Sequence, residues 1–191
     1  MNPFNLFNQW FKLEMETSTS ERVTACCMST IGLDGYPNSR IVALKDYTDE
    51  HFIITGSIQS RKGTELNKNP KASLVFWWPV TGKQVRIQGD AGILLKEKSD
   101  YYFQQRPRNA RIVSHISKQG ELLPSRNHLL KKFQAFKRDY EGKEIPAPDH
   151  WSGFIIIPVR IEFFEFNEDR LHRRLLYTKE NGLWQDQELQ P

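Results

Sequence analysis

The stretch DRLHRRLLY, residues 169–177, concentrates side chains that could bind or act on a ligand. If the stretch is an extended strand, alternate residues point to the same face, so Arg170, His172 and Arg174 would share one side. Three neighbouring donors on one face repel one another when they are buried without a counter-charge. The pattern therefore predicts that this face meets an anionic ligand.

A second basic cluster lies in QSRKG, where Arg61 and Lys62 follow Ser60 at the predicted start of a short helix. Cations in a first turn oppose the helix dipole, whose positive end is the N-terminus. A bound phosphate would relieve this, because first-turn N–H groups together with Arg and Lys form a phosphate site. An exposed pair of cations, screened by solvent, is the alternative. The segment is neither a P-loop nor a GxGxxG motif.

A third cluster pairs a phenol with a guanidinium in YYFQQRPRNAR. Tyr102 and Arg106 are four residues apart, so a helix would place them on one face. Such a pair can hold a phosphate or a carboxylate. Stacking of the arginine on an aromatic ring is an equally good explanation.

The elements that position these clusters follow from hydrophobic periodicity and turn residues. A helix starting near Pro3 precedes antiparallel strands, helices are inserted in the middle, and strands end the chain. In SRIVALK, Arg40 and Lys45 bracket an apolar strand core. This order predicts an α+β fold, an antiparallel β-barrel with helices packed outside it, as one domain over residues 1–191.

Composition bounds the functional class. The chain has 191 residues, a net charge of +4, 38% hydrophobic and 26% charged residues, as expected for one globular domain. The basic excess is mild and forms no tail, so we expect no nucleic-acid partner. No apolar run approaches membrane-spanning length, so we expect no membrane partner.

The cysteines indicate the compartment. Cys26 and Cys27 are adjacent and would point to opposite faces of a strand, so no disulfide framework and no metal-binding pair is expected. Core thiols are typical of a reducing environment, and we predict a cytoplasmic protein without a metal site.

With these clusters in order, the chain resembles the pyridoxamine 5'-phosphate oxidase family of FMN-dependent oxidases. The resemblance extends from about residue 3 onward and rests on segments that occur in family order: SRIVALK, SRKGTELNKNP, KQVRIQG, YYFQQRP, SKQ, the P-x-P-x-x-W-x-G run, IEFFEF and RLHRRLLY. It implies a split β-barrel that binds FMN at the interface of a homodimer.

The resemblance also implies cofactor contacts. Arg61 and Lys62 are expected to bind the FMN phosphate, and Gln84 is expected to face the isoalloxazine ring. The full set implied for the cofactor is Arg40, Ile41, Val42, Ala43, Leu44, Lys45, Thr55, Gly56, Arg61, Lys62, Gln84, Gln119, Gly120, Phe164 and Arg174.

On the substrate side, the resemblance assigns Lys45, Tyr102 and Arg106 to a phosphate group. It assigns Arg170 and His172 to the pyridine ring, which they would orient over the flavin as catalytic residues. The implied reaction converts pyridoxine 5'-phosphate or pyridoxamine 5'-phosphate to pyridoxal 5'-phosphate by hydride transfer to the flavin, with O2 as acceptor and H2O2 as product.

Some positions depart from the family pattern. Ala110 stands where a serine would be a further phosphate ligand, Phe164 where a tryptophan flanks the flavin, Gly120 replaces a serine and Arg173 replaces an aspartate. Two alternatives therefore stay open. One is a related FMN oxidase acting on another reduced ring, as in phenazine biosynthesis, and the other is a non-catalytic flavin-binding module.

Overall fold

The computed structural model describes residues 2–191. The helices are α1 (Pro3–Thr17), α2 (Arg61–Lys68), α3 (Lys96–Gln104), α4 (Arg108–Ile116) and α5 (Arg126–Asp139). The strands are β1 (Ala25–Ile31), β2 (Pro37–Tyr47), β3 (Phe52–Ser57), β4 (Lys71–Trp78), β5 (Lys83–Ile93), β6 (Trp151–Glu165), β7 (Arg173–Glu180) and β8 (Leu183–Leu189).

One antiparallel sheet runs in the order β3-β2-β1-β4-β5-β6-β7-β8. The additional pairing of β3 with β6 closes the first six strands into a barrel, and β7 and β8 extend the sheet beyond it. This confirms the predicted α+β fold with an antiparallel barrel. The long strand β6 belongs to both parts, since it pairs with β3 and β5 in the barrel and with β7 outside it.

Helix α1 covers one end of the barrel. Asn2 accepts a hydrogen bond from the Phe4 amide and Pro3 occupies the first turn, a favourable start for a helix. Phe7 is fully buried and packs edge-on against Phe52 and Phe76 in the barrel interior. This aromatic contact fixes α1 to the barrel.

Strand β3 is buried on both faces. Phe52 and Ile54 belong to the barrel core, whereas Ile53 points outward into a second core with Phe103 and Trp151. Alternation of side chains along the strand explains why consecutive residues reach different cores. The second core anchors α3 and α4 beside β3, which brings the residues of these helices next to the barrel wall.

Two local expectations are corrected. Strand β7 begins at Arg173, so Arg170 and His172 lie in the preceding loop and do not share a strand face with Arg174. Arg170 has φ 69°, which lies in the left-handed region and outside the β region of a strand. Helix α3 ends before Arg106, so the pairing with Tyr102 is not one along a continuous helix face.

Helix α2 starts at Arg61, as predicted, but without a side-chain cap. Ser60 occupies the N-cap position, but its side chain makes no capping hydrogen bond. Its hydroxyl instead donates to the carbonyl of Ser57 at 2.6 Å and accepts from Lys62 Nζ at 3.1 Å. The first-turn N–H groups of α2 are therefore not satisfied by a capping side chain.

No helix within residues 2–191 is both long enough and apolar enough to cross a bilayer.

Candidate functional site

Six polar side chains meet where α2 packs against β1 and β2 of the barrel. We call this group the α2 cluster; it consists of Thr30, Asn38, Arg40, Arg61, Lys62 and Glu65. Thr30, Asn38 and Arg40 come from the paired strands β1 and β2, and the other three come from α2. Strand pairing and the helix start thus bring three cations together.

Glu65 is the centre of the α2 cluster and is fully buried. One carboxylate oxygen accepts from Asn38 Nδ2 at 2.6 Å and from Arg61 Nε at 3.0 Å. The other oxygen accepts from Thr30 Oγ1 at 2.5 Å and from Arg40 Nη2 at 3.1 Å. Burial by itself raises the pKa of Glu65, but these four hydrogen bonds outweigh burial and hold that pKa below its ordinary value.

Lys62 is the unusual cation of the cluster because its residue is only 7% exposed. Its Nζ donates to Ser60 Oγ at 3.1 Å, and no carboxylate in residues 2–191 lies within ion-pair distance of it. Burial and the nearby Arg40 lower the pKa of Lys62. A buried ammonium without a counter-ion is unfavourable, so the site fits an incoming anion. The exposed, screened pair predicted as an alternative is therefore wrong for Lys62.

Gly56 leaves open space beside this ammonium group. A Cβ atom added at position 56 would lie 3.1 Å from Lys62 Nζ, tighter than ordinary contact. Glycine therefore preserves a gap next to the amine. A buried amine, an adjacent guanidinium and a helix N-terminus match the donors that a phosphate group requires.

Gly56 also lines a second space, a cavity of about 330 Å³ that includes Arg106, Ser114 and Gln119 in its wall. Arg106 Nη1 donates to Ser114 Oγ at 2.5 Å, and the guanidinium lies 5.2 Å from the Trp151 ring centroid. The stacking predicted as an alternative is thus present. Within residues 2–191 no carboxylate pairs with Arg106, and burial lowers its pKa.

Lys45 and Tyr102 are neighbours near the end of β2. Lys45 Nζ lies 5.2 Å from the Tyr102 ring centroid and donates to Gln105 Oε1 at 2.6 Å. The Tyr102 hydroxyl donates to Asp46 Oδ2 at 2.6 Å. Burial and this carboxylate raise the pKa of Tyr102 well above its ordinary value. The phenol is thus neutral, and its proton points at Asp46.

A second group lies across β5, β6 and β7. We call it the β6–β7 cluster; it consists of Gln84, Arg86, Glu162, Phe164, His172 and Arg174. Strand register places Phe164 directly between Gln84 and Arg174. The buried Glu162 accepts from Arg86 Nη1 at 3.0 Å and from Arg174 Nε and Nη2 at 3.0 and 2.8 Å.

His172 is held by the loop before β7. Its ring centroid lies 4.9 Å from those of Phe164 and Phe166. Its Nδ1 accepts a hydrogen bond from the Asn167 amide at 3.1 Å. An accepting Nδ1 leaves Nε2 to carry the proton of the neutral ring, so the exposed edge is a donor. Arg170, in the same loop, is exposed and left-handed.

The predicted residues therefore fall into two groups within one chain. Arg40, Arg61 and Lys62 meet at Glu65, and Gly56, Arg106 and Gln119 share the neighbouring cavity. Gln84, Phe164, His172 and Arg174 form the other group. No hydrogen bond, ion pair or ring contact between residues 2–191 joins the two groups.

Several other predicted cofactor positions have simple placements. On β2, Ile41 and Ala43 point outward, whereas Val42 and Leu44 alternate toward the barrel interior. Thr55 is half-buried in β3, opposite Gly153. Gly120 is exposed after α4 with φ 94°, a conformation suited to glycine.

Sequence reasoning missed four residues that shape the site, namely Glu65, Asp46, Ser114 and Glu162. Glu65 was detectable, because it stands four residues after Arg61 on one helix face. Glu162 had no usable signal, since Arg86 is 76 residues away in the chain.

Comparison with known proteins identifies the family. The family described as "Pyridoxamine 5'-phosphate oxidase" matches residues 15–138, and the "Pyridoxine 5'-phosphate oxidase C-terminal dimerisation region" matches residues 151–191. The chain belongs to the pyridoxamine 5'-phosphate oxidase family. It is accordingly an oxidoreductase, and its C-terminal strands correspond to a dimerisation region.

Relatives of this oxidase family match along nearly the whole chain. A pyridoxine/pyridoxamine 5'-phosphate oxidase of Trichormus variabilis is 42% identical over 191 residues, 100% of this chain and 89% of the relative. One of Flavobacterium johnsoniae is 38% identical over 180 residues, 94% of this chain and 84% of the relative.

A solved structure agrees over the entire chain as well. PhzG from Burkholderia lata 383, in complex with tetrahydrophenazine-1-carboxylic acid, has a TM-score of 0.94 and 29% identity over 100% of this chain and 93% of that one. A pyridoxamine 5'-phosphate oxidase-related, FMN-binding protein of Nostoc punctiforme, with a TM-score of 0.80 and 15% identity over 97% of both chains, shares the fold.

Proposed function

We propose that the protein is an FMN-dependent oxidase that converts pyridoxine or pyridoxamine 5'-phosphate to pyridoxal 5'-phosphate, with O2 as electron acceptor and H2O2 as product. The observation that carries this proposal is the pair of cations on either side of Gly56. Lys62 and Arg106 both lack a carboxylate partner within residues 2–191, and both border this glycine. Full-length relatives with this activity in their names support the proposal.

The residues present fit FMN. Lys62 and Arg61 at the start of α2 would hold its phosphate, with Arg40 adding positive charge. The remaining contacts would come from the β2 backbone, Thr55, Gly56, Gln119, Gly120, Gln84, Phe164 and Arg174. Bound FMN would supply the redox chemistry, accepting a hydride and passing electrons to dioxygen.

The substrate phosphate would be held by Lys45 and Arg106, with Tyr102 beside them. While its proton points at Asp46, the Tyr102 hydroxyl can only accept hydrogen bonds, so it must turn before it can donate to a phosphate. Arg170 and the Nε2–H edge of His172 would orient the ring of the substrate. Their loop is built by local hydrogen bonds, including one from Asn167 Nδ2 to the Leu171 carbonyl at 2.7 Å.

We further propose that the protein is a homodimer with FMN at its interface. The outer face of the barrel exposes Ile41 and Trp77. Ile41, Cys27 and Val75 are register partners on adjacent strands, and Trp77 lies two residues after Val75 on the same face. Exposed apolar patches of this kind mark association surfaces. A dimer would bring the α2 cluster of one copy to the β6–β7 cluster of the other.

We propose that residues 1–191 form one domain, because β6 joins both family regions in one sheet. The cytoplasmic location stays a prediction.

An anaerobic reduction experiment tests the function. Protein loaded with FMN is mixed with pyridoxine 5'-phosphate while the absorption band of the oxidised flavin is followed. Prompt bleaching that air reverses, with pyridoxal 5'-phosphate formed, supports the proposal. Tight FMN binding without bleaching by any reduced ring would instead indicate a non-catalytic flavin-binding module.

A reduced multi-ring substrate is the second candidate. Phe166 and Leu171 are exposed next to His172, which gives the loop an apolar surface. The structural likeness to PhzG, solved with a tetrahydrophenazine, points the same way. Bleaching by a dihydrophenazine carboxylate but not by pyridoxine 5'-phosphate would favour this candidate. The variant Arg106→Ala would then leave the KM of the phenazine substrate nearly unchanged.

A further inference from the structure

The buried carboxylate of Glu65 uses both of its oxygens in the same way. Each oxygen accepts one hydrogen bond from a neutral donor and one from a guanidinium. Asn38 and Thr30 are the neutral donors, and Arg61 and Arg40 are the cations. Because the carboxylate is fully buried, water does not compete for these bonds. Glu65 therefore connects two arginines that come from different elements, and Arg40 is also held directly by Thr30, whose Oγ1 accepts from Arg40 Nη1 at 2.5 Å.

The charges around Glu65 do not balance. Arg40, Arg61 and Lys62 contribute three positive charges. The buried carboxylate of Glu65 contributes a single negative charge. Asp34 also approaches Arg61, at 3.4 Å, but both side chains are more than half exposed, so solvent weakens this pair. The α2 cluster thus keeps an excess of positive charge. Where that charge lies depends on the positions in which Glu65 holds the two guanidinium groups.

We propose that Glu65 is the positioning residue that makes this site prefer a phosphorylated flavin over the same flavin without phosphate. This rests on the proposed function, since it assumes that the α2 cluster receives the FMN phosphate. Glu65 does not touch the flavin. It fixes Arg61 and Arg40 around the open side of Lys62, so that the donors are already placed when a phosphate arrives.

The test compares the dissociation constants of FMN and riboflavin, measured by fluorescence titration of the flavin-free protein. The ratio of the riboflavin constant to the FMN constant reports recognition of the phosphate alone. In Glu65→Gln we expect this ratio to fall about tenfold, while the riboflavin constant changes less than about threefold. A merely structural role would weaken both flavins alike. An unchanged or increased ratio overturns the inference, because an increase would mean that Glu65 only opposes the anion.

Two further variants keep the test decisive if Glu65→Gln folds poorly, since loss of one partner of a buried ion pair is strongly destabilising. Asn38→Ala removes the neutral donor to Glu65 at 2.6 Å without removing a partner of either arginine, and we expect a smaller fall of the same ratio. If Glu65→Gln does not fold, an unchanged ratio in Asn38→Ala overturns the inference. Glu14→Gln removes another buried carboxylate, one that accepts from the Thr81 amide outside the cluster, and should leave the ratio unchanged.

The wild-type protein distinguishes failure of the proposed function from failure of the inference about Glu65. If it binds FMN no better than riboflavin, the proposed function fails and the inference with it. If it prefers FMN and Glu65→Gln keeps that preference, only the inference fails.

Discussion

The α2 cluster and the β6–β7 cluster solve the same problem differently, since each uses one buried carboxylate to hold two arginines. Glu65 also accepts from two neutral donors, and among residues 2–191 no carboxylate pairs with the neighbouring Lys62. One oxygen of Glu162 accepts from both Nε and Nη2 of Arg174. The rings of Phe164 and His172 lie in the same cluster. The first arrangement keeps spare positive charge at a buried point, which suits a phosphate. The second keeps a smaller excess of positive charge, since Glu162 pairs with two arginines of which Arg86 is half-exposed, and it presents flat aromatic surfaces, which suit a ring.

The largest expected effect concerns the ring side of this comparison. His172→Ala should lower kcat/KM for pyridoxine 5'-phosphate about 100-fold, because a misplaced reacting group costs that much. The dissociation constant of FMN should change less than about threefold. Steady-state kinetics and flavin titration measure both values. His128→Ala, at an exposed histidine of α5, is the control and should behave like wild type. Equal losses in catalysis and FMN binding would contradict the division of roles.

The next effect concerns the phosphate side. Lys62→Ala removes one charged hydrogen-bond donor, worth about 1.5–3 kcal/mol, so FMN affinity should fall about 10- to 100-fold. Riboflavin affinity should stay nearly unchanged. Lys68→Ala, at the exposed last turn of the same helix, is the matched control. If riboflavin binding falls as much as FMN binding, the amine does not recognise the phosphate.

A smaller effect is expected at Glu162. Glu162→Gln weakens the ion pairs of Arg174 and Arg86, at a cost of about 1 kcal/mol in flavin binding, or about fivefold. Because these residues would face the flavin ring, FMN and riboflavin should lose affinity equally. Glu188→Gln, which removes the exposed partner of Arg173, is the control. A selective loss of FMN affinity would mean that both clusters recognise the phosphate.

The smallest expected effect is the pH dependence of FMN binding, which should depend on Lys62 of the α2 cluster. The pKa of Lys62 lies below its ordinary value because the amine is buried near Arg40. As the pH rises through this lowered pKa, Lys62 loses its charge. FMN affinity should therefore begin to decline at a pH below about 10.4, the ordinary pKa of a lysine. Riboflavin titrations at the same pH values correct for other groups. Lys62→Arg stays charged and should keep its affinity for FMN, and an identical decline in that variant would exclude Lys62 as the cause.

The order of elements was predictable because it depends on local patterns. Alternating apolar residues marked the strands, and the run from Ser60 to Asn69-Pro70 marked α2 as a short helix. The loop before β7 was not predictable in the same way. Its residues look strand-like, but Asn167 and Asp169 form hydrogen bonds to Leu171 that turn the chain. Local side-chain bonding therefore outweighed the alternation that suggested a strand.

The sequence by itself determined that basic residues stand at the start of α2 and before β7, and that an antiparallel barrel with outer helices carries them. Only the tertiary structure decided that Lys62 is buried with no carboxylate of residues 2–191 paired to it, that Glu65 holds two arginines and that the Tyr102 proton points at Asp46. The reason is physical. Periodicity is a property of neighbouring residues, whereas burial and ion pairing depend on segments such as Arg86 and Glu162 that only folding brings together.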